Sequence, residues 1–387
     1  IESRNVQKSG DEYITERKEN IKIYDSKVNF NKKIHLLKIN YGISGRYEEL
    51  NSTANLLNYN EELNFISTRY PDKGSVDMNY APFLHTEIEL SSKIKLYNAI
   101  RFDYNKISMC FSEENPFNLG DKLILINNDF SASSNVFYNT GNNNFLSFSF
   151  FNSFRNPNVD DIGKVFSKNQ NVVVVPNLEL KSEKIVSSEL IWKHISKTTK
   201  IELVLFHSRL KDAIEKRDYS FNGQDSIIYD GEMMKCIANT NINSAIMNGL
   251  NIRIKQSITK NILFTSTSAF VKSISSDSLP LAHIPPLSIR SSLKYIFTDK
   301  SKITLYTNYN SWKRSSQYDI NGVDNLEEAT IDGTPSWITY NLVYSKKIQD
   351  LTISIACENI LDSHYKTFAS GISSSGRNFI LNLQAEF

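Results

Sequence analysis

Arg155, Asn158, Asp160 and Asp161 put four polar side chains within seven positions, where an alternating segment runs into a long polar connection. Charged and amide groups gathered at such a place can contact a ligand or line its way in. Asn-Pro and Asp pairs also favour turns, so the competing reading is a connection folded back on itself. Haem or metal binding would need ligating side chains, and the six histidines are His35, His85, His194, His207, His283 and His364. No two of them have helix or strand spacing suited to a metal. His283 and His364 adjoin long connections and are the candidates for haem or metal contact. Cys110, Cys236 and Cys357 are far apart and odd in number, the pattern of inert packing residues. The adjacent methionines of "GEMMK" (231–235) could grip an apolar ligand or pack a loop. The sequence has no G-x-S-x-G and no phosphate-binding glycine loop. No catalytic residue or metal site is assigned, no cofactor is expected, and the chain is not read as an enzyme.

The elements that must position these residues are strands. Helical periodicity is almost absent and period-two alternation runs throughout, which places alternate side chains on opposite faces. Leu146, Phe148 and Phe150 alternate with serines, and Ile338, Tyr340, Leu342 and Tyr344 share one parity. No apolar run approaches the roughly 18 residues of a membrane helix. That does not exclude a membrane barrel, whose alternating strands average to a polar hydropathy. The connections are more telling. Short turns are expected near 30–33, 90–93, 140–144, 196–199, 257–261, 298–301 and 346–350. Long polar connections are expected near 52–74, 111–120, 157–177, 217–238, 274–284, 315–335 and 362–374. Strict short–long alternation is the pattern of an outer-membrane barrel, whereas a soluble sandwich has short turns at both ends.

The fold class predicted is all-β, an antiparallel transmembrane barrel with about 15 visible strands. Their spans are 18–29, 34–51, 75–90, 94–110, 121–139, 144–156, 178–196, 199–216, 239–257, 261–273, 285–298, 301–314, 335–346, 350–361 and 375–387. An odd count whose first strand descends leads to the expectation that this is the C-terminal part of a larger barrel. Basic and acidic residues nearly balance, 44 against 42, so a nucleic-acid partner has no electrostatic support.

Several stretches, in order, resemble TonB-dependent outer-membrane receptors of the Bacteroidetes type. "SFRNPNVDDIGKVF" (153–166) resembles their "GFRAPNVDDLGKVF", and "VVVPNLELKSE" (173–183) the "VVPNPxLKPE" that follows it. "AHIPPLSIRSSLKY" (282–295), "DGTPSWITYNL" (332–342) and the ending "ENILDSHYKTFASGISSSGRNFILNLQAEF" (358–387) have counterparts too. "TRYPDKGS" (68–75) is a weaker match. The matches cover roughly the last 240 residues. Asn156, Glu179, Ser182 and Ser375 depart from the family pattern, as in a diverged member. The resemblance implies a 22-stranded barrel around an N-terminal plug, taking up iron chelates, haem, cobalamin or glycans by coupling to TonB. Residues 1–387 would be barrel alone, with the plug and the first strands absent. The implied partners are outer-membrane lipid, the TonB complex through the plug, the barrel-assembly machinery, and a small-molecule or glycan ligand. A passive outer-membrane channel and a non-functional fragment are the alternatives.

In the ending "RNFILNLQAEF" (377–387) one parity is wholly apolar from Phe379 onward. Phe379, Leu381, Leu383 and Phe387 are expected to face lipid and to resemble the signal read by the assembly machinery. Trp192, Tyr295, Trp312, Trp337, Tyr340 and Tyr344 are expected in the aromatic girdles at the membrane surfaces. Gly371, Gly376 and Arg377 frame the last long connection, with Arg377 expected to pair with a carboxylate of the wall.

Overall fold

Alternation of apolar and polar side chains becomes a single large antiparallel meander. The computed structural model describes residues 2–6, 13–58, 62–65, 68–112, 121–169, 171–229, 232–276, 278–319 and 323–385. Among these, fifteen strands have eight residues or more. They are β1 (Tyr13–Ile34), β2 (Leu37–Asn58), β3 (Ser75–Glu89), β4 (Ile94–Cys110) and β5 (Lys122–Gly141). Then come β6 (Asn144–Arg155), β7 (Glu183–Ile195), β8 (Thr199–Asp218), β9 (Glu232–Ser257) and β10 (Ile262–Ser275). The last five are β11 (Ser288–Ile296), β12 (Lys302–Asn310), β13 (Trp337–Ile348), β14 (Leu351–Glu358) and β15 (Asn378–Ala385). Each pairs antiparallel with the next.

Short and long connections alternate along the whole meander, as expected. The tight turns carry the required backbone. Asn142 and Asn143 both have positive φ, 49° and 63°, the demand of a type I′ hairpin. The first turn is displaced from 30–33 to His35–Leu36, with His35 at φ 51°. β1 and β2 are longer than expected, 22 residues each, paired from Tyr13↔Asn58 to Ile34↔Leu37. At about 3.3 Å per residue they reach roughly 70 Å, far beyond the ~25 Å apolar band of a membrane barrel. The connection expected at 217–238 is shorter, because Glu232–Tyr229 pairing builds a hairpin that extends β9. In β3, Pro82 has no N–H to donate, and the ladder to β4 skips Ala81 and Pro82.

The two faces of the sheet are distinct. One unbroken row of ladder partners runs Ile34, Leu37, Ile88, Leu96, Val136, Phe148, Leu190, Leu205, Leu250, Phe270. A second runs Phe264, Leu293, Leu305, Leu342, Cys357, Phe379. These face outward: Phe148, Leu305 and Phe379 are 51, 42 and 73 % exposed. In water such rows would be costly, at about 25 cal/mol per Å² of apolar surface, and lipid removes that cost. Phe379, Leu381 and Leu383 continue this face on β15. Phe387 lies outside the described residues.

The short strand Glu2–Val6 covers Thr15–Glu19 of β1. Among the described residues, nothing pairs with the remaining edge of β1, nor with the second edge of β15.

Candidate functional site

The opposite parity faces the lumen. Near the outer ends of the strands it turns apolar, and the segment 156–182 between β6 and β7 folds against it. This strap holds a single helical turn, α1 (Val159–Ile162), and a small antiparallel hairpin, Phe166–Asn169 with Val172–Val174. Ile162 is fully buried in a cluster with Val159, Leu180, Leu50 of β2, and Ile107 and Met109 of β4. Val165, Val173 and Val175 pack with Phe221, Tyr229, Met234, Cys236 and Ala238. The strap thereby bridges lumen-facing positions on β2 and β4 to those on β9. Val172–Val174 adds a parallel ladder to Lys235–Ile237 of β9. Backbone bonds Val165 N–H to Arg69 O (3.0 Å) and Val175 N–H to Ile237 O (2.9 Å) tie it on both sides.

All four polar residues singled out from the sequence are brought together here, and each is engaged in holding the strap. Arg155 donates from Nε to Glu183 Oε2 and from Nη1 to Asp161 Oδ2, each at 2.5 Å. Asn158 caps α1, accepting from the Asp161 N–H at 2.9 Å, while Asp161 Oδ2 accepts from the Asn158 N–H at 3.0 Å. This is a reciprocal capping box, with two otherwise orphaned donors satisfied. Asp160 accepts from the Tyr70 hydroxyl at 2.5 Å and from Lys164. Burial pushes the Asp160 carboxyl up, but the bonds from Lys164 and Tyr70 outweigh it and hold it below its ordinary range. Burial and the same contact push the Tyr70 phenol up. Turn chemistry, the competing reading, describes the geometry of these residues.

The two candidate histidines have separate partners. His283, at φ 62°, donates its backbone N–H to both carboxylate oxygens of Asp324 at 3.0 Å, and its Nδ1 lies 3.1 Å from Asp324. Asp324 has no exposed surface, and burial pushes its carboxyl up. Lys313 nearby donates to the Ile284 carbonyl at 2.6 Å and lies over the rings of Tyr318 and Phe368. His364 Nε2 meets the Ser373 hydroxyl at 3.0 Å. Among the described residues no cluster of three metal-ligating side chains exists. Met233 is two-thirds exposed while Met234 is buried, as alternation on a strand requires. Arg377 takes the carbonyl of Ile360 at 2.9 Å rather than a wall carboxylate, because the chain doubles back at Asp362.

Below the strap the lumen wall is polar. Lys193, Glu202, Arg253, Thr267, Arg290, Asn308 and Thr339 form one row of ladder partners across β7 to β13. Glu202 takes Lys193 at 2.7 Å and Arg253 at 3.2 Å. A cavity of about 730 Å³ opens above this row, beneath the outer connections. Trp337 and Tyr365 flank it, ring centroids 4.3 Å apart. Trp337 therefore leaves the aromatic girdle expected of it. Its neighbours Ile338, Tyr340 and Leu342 face lipid, and parity sends residue 337 inward. Trp312 also leaves the girdle, its indole N–H donating to the Asp332 carbonyl at 3.2 Å beneath Arg314.

A wall with one lipid-compatible face and one polar lumenal face matches the family described as "TonB dependent receptor-like, beta-barrel", over residues 3–360. The chain belongs to this family. Its members are outer-membrane proteins, which places the chain in the outer membrane. Among solved structures, the copper transporter OprC superposes with a TM-score of 0.76 at 13% identity, covering 97% of this chain and 58% of its own. The FrpB iron transporter from Neisseria meningitidis gives 0.71 at 12% identity, covering 97% and 59%. The ferric yersiniabactin uptake receptor FyuA from Yersinia pestis gives 0.67 at 12% identity, covering 98% and 55%. At such identity the likeness is one of fold. This TonB-dependent receptor barrel chain thus spans less than two thirds of the length of each neighbour. No curated protein matches the sequence.

Sequence reasoning missed Tyr70, Glu183, Lys313 and Asp324, the partners that fix the strap and the outer connections. It also missed the row containing Arg253 and Arg290, although parity alone sets both opposite the apolar row.

Proposed function

We propose that this receptor barrel forms part of the wall of a TonB-coupled importer for a scarce ligand, the chelated-metal class being favoured. The observation that carries this reading is the lumen itself: polar along the wall, and narrowed at its outer mouth by a strap packed from within. The neighbours named for copper, iron and ferric yersiniabactin support the metal class. The edges of β1 beyond Glu2–Val6 and of β15, unpaired among the described residues, fit pairing with further strands, since an open edge is not tolerated in hydrocarbon. A plug domain receiving the pull of TonB, and handling of the β15 terminus by the barrel-assembly machinery, belong to the same reading.

The test is uptake of a radiolabelled ferric chelate panel by cells carrying the full-length receptor, with and without TonB. The expected result is accumulation that disappears on TonB deletion. Undiminished accumulation would identify a passive channel instead.

A further inference from the structure

We infer that the cavity between the lumenal arginines and the Trp337–Tyr365 pair is a binding subsite for a compact anionic, oxygen-rich ring compound. Four observations lead there. First, its volume, about 730 Å³, lies within the range of small-molecule sites. Second, its charge is unbalanced. Glu202 already takes Lys193 at 2.7 Å and Arg253 at 3.2 Å. Among the described residues, no ion pair or hydrogen bond engages Arg290. Arg253 and Arg290 both pair with Thr267, so they stand one strand to either side of it, about 10 Å apart along the ladder. Two guanidinium groups at that separation can converge on one anion or span two. Third, Trp337 and Tyr365, with ring centroids 4.3 Å apart and planes tilted by 34°, offer aromatic surface for a ring. Fourth, Asn308 and Asn310 line the same cavity, and an amide both donates to and accepts from hydroxyl groups.

These groups select by chemistry. A neutral ligand would leave Arg290 unpaired, and a cation would be repelled. A carboxylated, hydroxylated ring satisfies the guanidinium groups, the amides and the aromatic surface together. The inference rests on the uptake reading only in treating the lumen as open to ligand.

The test is calorimetry and tryptophan fluorescence on the purified full-length receptor in detergent, with glucuronate as the anionic probe and glucose as its neutral counterpart. Glucuronate is expected to bind and to quench fluorescence, while glucose at the same concentration does neither. Arg290→Gln should weaken glucuronate by about tenfold or more, as for loss of a charge-assisted bond. Added salt should weaken it too. Trp337→Phe should abolish the quench and keep most of the affinity. Equal binding of the two sugars, or binding of neither, overturns the inference. So does an Arg290→Gln receptor with unchanged affinity but a lowered unfolding temperature, because the guanidinium would then serve the protein. Binding is measured without TonB, so loss of TonB dependence in cells would sink the uptake reading and leave this one standing.

Discussion

Truncating Ile162 should release the strap without unfolding the wall. Ile162 is fully buried, and its cluster joins α1 to Leu50, Ile107, Met109 and Phe111 on the far side of the contact. Ile162→Ala removes apolar contacts and leaves a cavity that the strands, fixed by their ladders, cannot close. Buried Ile or Leu to Ala costs about 2–5 kcal/mol. At about 1.4 kcal/mol per tenfold, opening of the strap would rise roughly 30- to several-thousand-fold. Hydrogen exchange read by mass spectrometry in lipid nanodiscs reports this directly. The amides of Val165, Val175 and Asn177 bond to Arg69, Ile237 and Ile162 in the docked state and should exchange faster. Peptides from β10 to β13 should keep their protection, since local opening and global unfolding are separate events. Leu305→Ala, on the lipid face, is the control: lipid fills the space, and strap exchange should not change. The reasoning fails if Ile162→Ala leaves the strap amides untouched, or if wall and strap lose protection together.

Leu305→Arg sits mid-row on the outward face and should destabilise folding into vesicles by about 2–4 kcal/mol, read from denaturant refolding curves. Gly249 faces Phe206 across the β8–β9 ladder, and a Cβ there would lie 2.0 Å from the ring. Gly249→Ala should therefore cost about 1–3 kcal/mol in the same assay, largely recovered by adding Phe206→Leu, as overpacking predicts. Asp160 is held below its ordinary range, so its contribution to strap docking is present above the unfolded carboxylate value, about 3.9, and fades as pH falls through the lower folded value. Limited proteolysis of the strap by an acid-active protease should thus rise steeply only below about pH 4, and Asp160→Asn should flatten that rise.

Much of the wall was readable in the sequence because a strand writes its two faces at a period of two, and lipid enforces one of them. The fifteen strands, their hairpin order and the outward set ending in Phe379, Leu381 and Leu383 followed from that alternation and from loop length. Strand ends were less legible. Beyond the bilayer no lipid imposes a pattern, so β1 and β2 continue through residues that look like loop. The misplaced Trp337 was legible in principle from the parity of Ile338, Tyr340 and Leu342, and aromatic identity masked it.

What sequence alone determined was therefore local and periodic: which residues form strands, which side of each strand meets lipid, and where an Asn-Pro-Asn turn begins. The tertiary structure decided what those turns are for. Arg155 meets Glu183 across 28 positions, Tyr70 meets Asp160 across 90, and Asn239 meets the Asp161 carbonyl across 78. No period or propensity encodes such pairings. They arise because the curved sheet brings β2, β4 and β9 around one lumen, where a single segment can bury its apolar side against all three.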